Sequence, residues 1–269
     1  MRALTRAVSL ARAFFVRDLV TDTTYKVSVA VEFADVIIGV SAFYYLSRVI
    51  GDRHPGGYDA FAFILVGVAV NSAMSTALAC FAQAVKADQQ AGTLKPILAA
   101  PISAGAMVTL SSVYPLLRSA ASAVAYFCAG ALLFKTTWRA TNLLATAVVL
   151  AAALGAFAAI GLLSAAFAIV VKRGDPLLWL FGALSWMLGG VFFPVGMLPH
   201  ILQQASRLFP LTYALDALRA TLLNGASLAS VGGDLAVLSA VAIVGLPVSA
   251  LLVSAGASWG KRTGTLGHS

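Results

Sequence analysis

A chain of 269 residues that is 60% hydrophobic and only 10% charged, with a mean hydropathy of +0.92, lies far from soluble usage, where about a quarter of residues are charged. That composition excludes a water-soluble globular domain and predicts a polytopic membrane protein built as one membrane domain. The net charge of +8 does not point to nucleic acid, because the basic residues sit in short inter-helical segments and tails, the positive-inside pattern of membrane proteins.

Residues 1–26 carry Arg2, Arg6, Arg12, Arg17 and Lys26. Leu4, Val8, Ala11, Phe15 and Leu19 recur among them at helical spacing, which aligns an apolar stripe. The segment reads as an amphipathic helix lying on the cytoplasmic membrane surface, with Arg6, Arg12 and Arg17 toward headgroups; a disordered basic leader is the rival reading. A first span is expected over 27–47, a second over 58–85, a third over 104–134, a fourth over 142–171, a fifth over 177–193 and a sixth over 236–257. Runs of about 20 apolar residues suit a hydrocarbon core of roughly 30 Å. The tail, 258–269, is polar.

The fifth run breaks early. Gly189-Gly190 is followed by Phe192-Phe193-Pro194-Val195-Gly196-Met197-Leu198-Pro199, then by Pro210. Proline removes a backbone donor and glycine loosens a helix, so no continuous helix is expected through these residues. Broken backbone at membrane depth needs protein or water to satisfy the freed polar groups. Residues 194–225 are therefore read as re-entrant helices on the outer side. Six spans put both termini on one side, and the basic residues fix which side. Eleven lie in the N-terminus, the 86–103 segment, the 172–176 connector and the tail, against six on the opposite side. The termini and 86–103 are thus expected in the cytoplasm.

Few polar residues interrupt the spans. Glu32 and Asp35, three apart, share a helix face; they read equally as interfacial anchors and as polar groups in a path between subunits. Arg118 sits deeper and is expected to pair with Asp35 or Glu32, since intramembrane charges face protein or water. Phe192, Phe193 and Pro194 are candidates for a gate or path lining, with an interfacial aromatic belt as the commoner use of such rings. Asp216 and Arg219 are expected to form a local ion pair. His54, His200 and His268 are scattered without ligand partners, so no metal site is expected. No nucleophile–base pair and no GxxxxGK[ST] phosphate loop is present, so the chain is not expected to be an enzyme and any ATP must be bound by another chain.

Between the second and third spans, 86–103 opens with polar Lys86, Asp88, Gln89, Gln90, Thr93 and Lys95 and ends in small apolar residues bracketed by Pro96 and Pro101. A short helix there is a plausible docking surface for a soluble partner; a plain connecting loop is the alternative. The string Gly92-Thr93-Leu94-Lys95-Pro96-Ile97-Leu98-Ala99-Ala100-Pro101-Ile102-Ser103 resembles the cytoplasmic segment of ABC type-2 exporter permeases. The Phe-Phe-Pro, Leu-Pro, Pro-Leu-Thr-Tyr and Ala-Leu-Arg elements between Gly190 and Gly225 are also similar to that family. Ala91 and Lys95 depart from it, standing where acidic residues are common.

The resemblance implies an all-α integral membrane fold of six spans, with an N-terminal interfacial helix, a cytoplasmic coupling helix and outer re-entrant helices. It implies a second permease copy or homologue and two ABC ATP-binding subunits that carry ATP and magnesium. Gln89, Gln90, Gly92, Thr93, Leu94, Lys95, Pro96 and Pro101 would form the coupling contact, with the N-terminal helix also touching the ATPase. The path would lie between the two permeases, along their first, second and fifth spans. An exporter of amphipathic or lipophilic molecules in the plasma membrane is the reading that follows. Export of lipid-linked polysaccharide is the alternative within the class, and a secondary transporter the alternative outside it, although no internal repeat supports the latter.

Overall fold

The computed structural model describes residue 16 and residues 26–50, 58–90, 113–134, 141–171 and 176–262. The regular elements described within them are helical: α1 Lys26–Ile50, α2 Ala60–Gln90, α3 Val113–Phe134, α4 Leu143–Val171, α5 Pro176–Leu188, a 3₁₀ turn Val195–Met197, α6 His200–Ser206, α7 Pro210–Leu223 and α8 Gly232–Arg262. Among the described residues, four stretches are long and apolar enough to cross a membrane: Ala60–Phe81, Val113–Phe134, Leu143–Ala168 and Gly232–Gly256. They coincide with the second, third, fourth and sixth expected spans. The helix at the first expected span, α1, has the length but carries Glu32, Asp35 and Arg48.

The fifth span is shorter than its apolar run suggests. α5 stops at Leu188 after 13 residues, which is about 20 Å of helix against the roughly 30 Å a bilayer core demands. The apolar sequence continues to Phe193, but Gly190 takes φ +78°, a left-handed conformation that ends the helix.

α2 is the axis of the fold. Its apolar stretch is 83% buried, and α1, α3, α4, α5 and α7 all pack on it. Such a helix reads as hydrophobic all round because neighbours cover every face. Asp59 starts it: its side-chain Oδ2 accepts from the Ala62 N–H at 3.0 Å and its carbonyl from the Phe63 N–H at 2.9 Å, the ordinary chemistry of an N-cap. The core around it comprises Phe63, Ile64, Leu65, Met74, Leu78, Phe157, Leu211, Leu215 and Leu218, among others.

The largest helix–helix contact is α4 on α8, and it is made by small residues. A side chain added at Gly245 would meet the Ala159 Cβ at 2.8 Å, and one at Gly155 the Ala242 Cβ at 3.1 Å. The backbones are close enough for Ser249 Oγ to donate to the Ala159 carbonyl at 2.9 Å. Close approach of this kind is how helices associate where no hydrophobic effect separates protein from lipid. Outward faces remain apolar, with Leu132, Ile243, Val244 and Leu251 exposed.

Contacts between elements identify one end of the bundle. There Tyr44 of α1 meets Phe61 at the start of α2 and Phe134 at the end of α3. At that end too, Asn142, before α4, donates its N–H to the Thr221 carbonyl of α7 at 3.1 Å. The helices α1, α2, α3 and α4 therefore alternate in direction, and residues 189–225 lie at the end where α2 begins. Gln89 and Gln90 lie at its other end, about 46 Å away along a 31-residue helix.

Candidate functional site

The helix break forms a compact cap built from main-chain carbonyls and the side chains that reach them. After α5, Gly189 still donates to the Ser185 carbonyl at 3.0 Å. The chain then turns at Gly190, and the carbonyls of Gly190 and Val191 lose any helical partner. Pro194 and Pro199 are the N-caps of the 3₁₀ turn and of α6, where their missing N–H groups cost nothing. Gln203 Nε2 folds back to donate to the Leu198 carbonyl at 2.8 Å and the Gly196 carbonyl at 3.2 Å. Pro210 opens α7, and Thr212 Oγ1 donates to the Ser206 carbonyl at 2.9 Å.

Arg219 closes the cap. It is 3% exposed, and Nη1 donates to the Gly190 carbonyl at 2.9 Å, while Nη2 donates to the Val191 carbonyl at 3.0 Å and the Phe63 carbonyl at 3.0 Å. The guanidinium carbon lies 3.4 Å from the centroid of the Phe63 ring, a stacked cation–π geometry. The approach depends on Gly67: a Cβ there would clash with the Val191 carbonyl oxygen and fall 3.0 Å from Nη2. One planar fork thus joins the break to the first turns of α2, which a single-point lysine could not do. Nε is enclosed without a hydrogen-bond partner among the described residues.

The expected Asp216–Arg219 ion pair is not what forms. The two residues share α7, but Asp216 is exposed and acts on the guanidinium only through its field. Burial pulls the Arg219 guanidinium well below the ordinary arginine range, to about 9, while Asp216 and Tyr58 push it back up, so it remains charged at neutral pH. Burial also raises the Tyr58 phenol, against a lowering by Arg219. Tyr58 oxygen in turn meets Asn224 Nδ2 at 3.1 Å, tying the end of α7 to the residues before α2.

Aromatic rings link the break to α1 and α5. Phe192 lies 5.8 Å from Phe43 of α1 and stacks on Trp186 of α5 at 5.3 Å. Beside them Tyr44 stacks on Phe134 at 4.1 Å, with the Arg48 guanidinium 5.5 Å above the Tyr44 ring. Of the three candidate gate residues, Phe192 bridges two helices; Phe193 and Pro194 are half-buried beside it.

On α1, Val31, Asp35, Ile38, Ala42, Tyr45 and Val49 are all exposed and recur four and three apart, which places them on one face. Asp35 lies on that face and within electrostatic reach of the buried Tyr126. Arg118 is half-buried on α3. The Glu32 side chain lies outside the described residues, as do Arg6, Arg12 and Arg17. Gln89 and Gln90 form the last residues of α2; Gly92, Thr93, Leu94, Lys95, Pro96 and Pro101 also lie outside the described residues.

The helix breaks where the glycines and prolines of residues 189–199 led one to expect, between α5 and α6. Residues 15–223 match the sequence profile of the ABC-2 type transporter family. The chain belongs to that family. The matched region ends at Leu223, the last residue of α7, so this ABC-2 membrane domain includes α1, α2, the break and Arg219. No curated protein matches the chain in sequence. Membership makes the chain a membrane permease of an ABC transporter, a system that works with an ATPase partner.

Proposed function

We propose that this ABC-2 permease is the membrane subunit of an ATP-driven exporter that moves amphipathic or lipophilic molecules, drug-like compounds or lipids, out of the cell. It would sit in the plasma membrane with six spans and both termini in the cytoplasm, α1 and α5 supplying the two spans that length and apolarity alone do not secure. Two ATP-binding subunits would carry ATP and magnesium, and this chain would carry no ATPase site of its own. The observation that carries the reading is α2: one uninterrupted helix runs from the cap to Gln89 and Gln90, the beginning of the segment similar to a coupling helix. A push on that segment has a rigid path to the outer end.

A second copy or homologue of the permease is supported by the exposed face of α1. Asp35 on an otherwise apolar stripe would be costly against lipid, and a neighbouring subunit or a watered path would relieve it. The break, with Phe192 and Phe193, would lie over that path.

Purification of the tagged chain from its native membrane should bring down an ABC ATPase. Its hydrolysis, reconstituted in lipid, should rise with members of an amphipathic panel and vanish when the Walker lysine of the ATPase is replaced. Purification without any ATPase would end the reading. One observation favours a second cargo: Phe43, Phe192 and Trp186 form a contiguous set of rings with Trp186 exposed, and such rings can stack on sugar faces. Stimulation by a lipid-linked polysaccharide and by none of the amphipathic compounds would select that reading.

A further inference from the structure

The three carbonyls bound by Arg219 belong to two different parts of the chain. Gly190 and Val191 lie in the break, whereas Phe63 lies in the first turn of α2. An α2 carbonyl is normally occupied by the N–H four residues on, which here is Gly67. Because Gly67 has no side chain, the second lone pair of the Phe63 oxygen is open to the guanidinium, and the Val191 carbonyl can settle against the same spot. The geometry is therefore a clasp between the cap and α2, with its arginine sealed from solvent.

We propose that Arg219 is a positioning residue that locks residues 189–223 to α2, so that the cap and this helix move as one rigid body during transport. The motion half of this statement rests on the exporter reading above; the clasp half does not. Three features support rigidity rather than a hinge. The guanidinium makes three hydrogen bonds to two parts of the chain, the Phe63 ring covers it, and α7 is buried along Leu211, Ala214, Leu215, Ala217 and Leu218. Tyr58–Asn224 adds a second tie at the far end of α7. Displacing the inner end of α2 would then tilt the cap with it, and no separate signal is needed to reach the outer end.

The test uses the full chain in lipid nanodiscs with Cys80 and Cys128 replaced, and spin labels at Gln83 on α2 and Gln204 on α6, both exposed, diluted with unlabelled chain. The wild-type pair should give one narrow distance distribution. Arg219→Gln and Gly67→Ala should each roughly double its width as the cap comes loose, and Arg219→Lys should restore part of the order. Because Arg219→Gln can fail to fold, Gly67→Ala provides the independent variant: it leaves the arginine in place and only obstructs the clasp. Unchanged widths in Gly67→Ala and in any folded Arg219→Gln overturn the clasp.

In the complex with its ATPase, ATP and magnesium should leave the wild-type Gln83–Gln204 distance unchanged while altering the distance between Gln204 labels on the two permease copies. The complex that carries Gly67→Ala should hydrolyse ATP within about twofold of the wild-type complex yet lose that outer movement, a split that a merely stabilising role would not produce. A nucleotide-driven change of more than about 5 Å within the Gln83–Gln204 pair overturns the rigid-body claim. A wild-type complex whose outer distance ignores nucleotide overturns the motion claim together with the exporter reading, while the distribution widths still judge the clasp.

Discussion

Arg219 and Phe63 are 156 positions apart in sequence, yet the arginine donates to the Phe63 carbonyl at 3.0 Å and stacks on the ring of the same residue at 3.4 Å. Helix breaking inside a membrane domain frees backbone acceptors that neither lipid nor the helix can satisfy. Here a charged side chain satisfies them, and uses the surplus of its fork to hold a second helix.

Arg219→Leu should be among the most destabilising substitutions in the chain. It leaves the Gly190 and Val191 carbonyls buried without donors, at roughly 1–3 kcal/mol each. Detergent-solubilised protein should lose about 2–4 kcal/mol of stability by thermal unfolding, and Arg219→Lys should recover a part of it. Wild-type stability in the leucine variant would show that the carbonyls have another source of donors.

Much of this arrangement can be read from the residues, and the exceptions have a common cause. Gly189-Gly190 and the prolines at 194, 199 and 210 mark the break because they change the backbone itself. The alternating helices follow from long apolar runs, and the family follows from motifs that sit at 86–103 and 190–225. The partner of Arg219 could not be read that way. Sequence spacing offers the nearest carboxylate, Asp216, but the real acceptors are main-chain oxygens, and every residue has a carbonyl to offer. Only the three-dimensional approach permitted by Gly67 selects among them. The short α5 has a similar origin: its apolar letters continue past Leu188, and the positive φ at Gly190 decides where the helix ends.

The α4–α8 seam makes a second prediction. Gly245→Ala places a methyl 2.8 Å from the Ala159 Cβ, which rigid helices can relieve only by separating. The expected loss is about 1–3 kcal/mol, accompanied by weakening of the Ser249–Ala159 hydrogen bond. Gly182→Ala on α5 is the control, since nothing lies within 4 Å of an added Cβ there. That variant should be neutral or gain up to about 1 kcal/mol from reduced backbone entropy. Equal effects from the two substitutions, measured by thermal unfolding, would show that the seam is not tightly packed.

Asn71 lies within the buried stretch of α2, 2% exposed, and its Oδ1 has no hydrogen-bond partner among the described residues. An amide oxygen enclosed without a donor costs free energy that an apolar side chain of similar size does not. Asn71→Leu should therefore raise the unfolding temperature, corresponding to a gain of about 1 kcal/mol. A fall in the unfolding temperature would show that the oxygen is met by a group from a second subunit or by water, and that the polar position is structural.

Phe192 and Phe193 are adjacent and chemically identical, but their surroundings separate them. Phe192 pairs with Phe43 on one side and stacks on Trp186 on the other, so it ties α1 to α5 across the break. An aromatic pair is worth roughly 0.5–1.5 kcal/mol beyond its burial, and Phe192→Ala removes two of them. It should cost about 1–3 kcal/mol, whereas Phe193→Ala should cost less than half as much. Trp186 also loses the ring stacked on its face, so its emission should shift in the Phe192 variant and not in the Phe193 variant. If these rings gate a path as well as brace it, Phe192→Leu, which keeps the bulk but not the stacking, should retain most of the stability and still change how amphipathic compounds stimulate the partner ATPase. Identical stability and emission in the two alanine variants would remove Phe192 from its bridging role and return both rings to an ordinary interfacial belt.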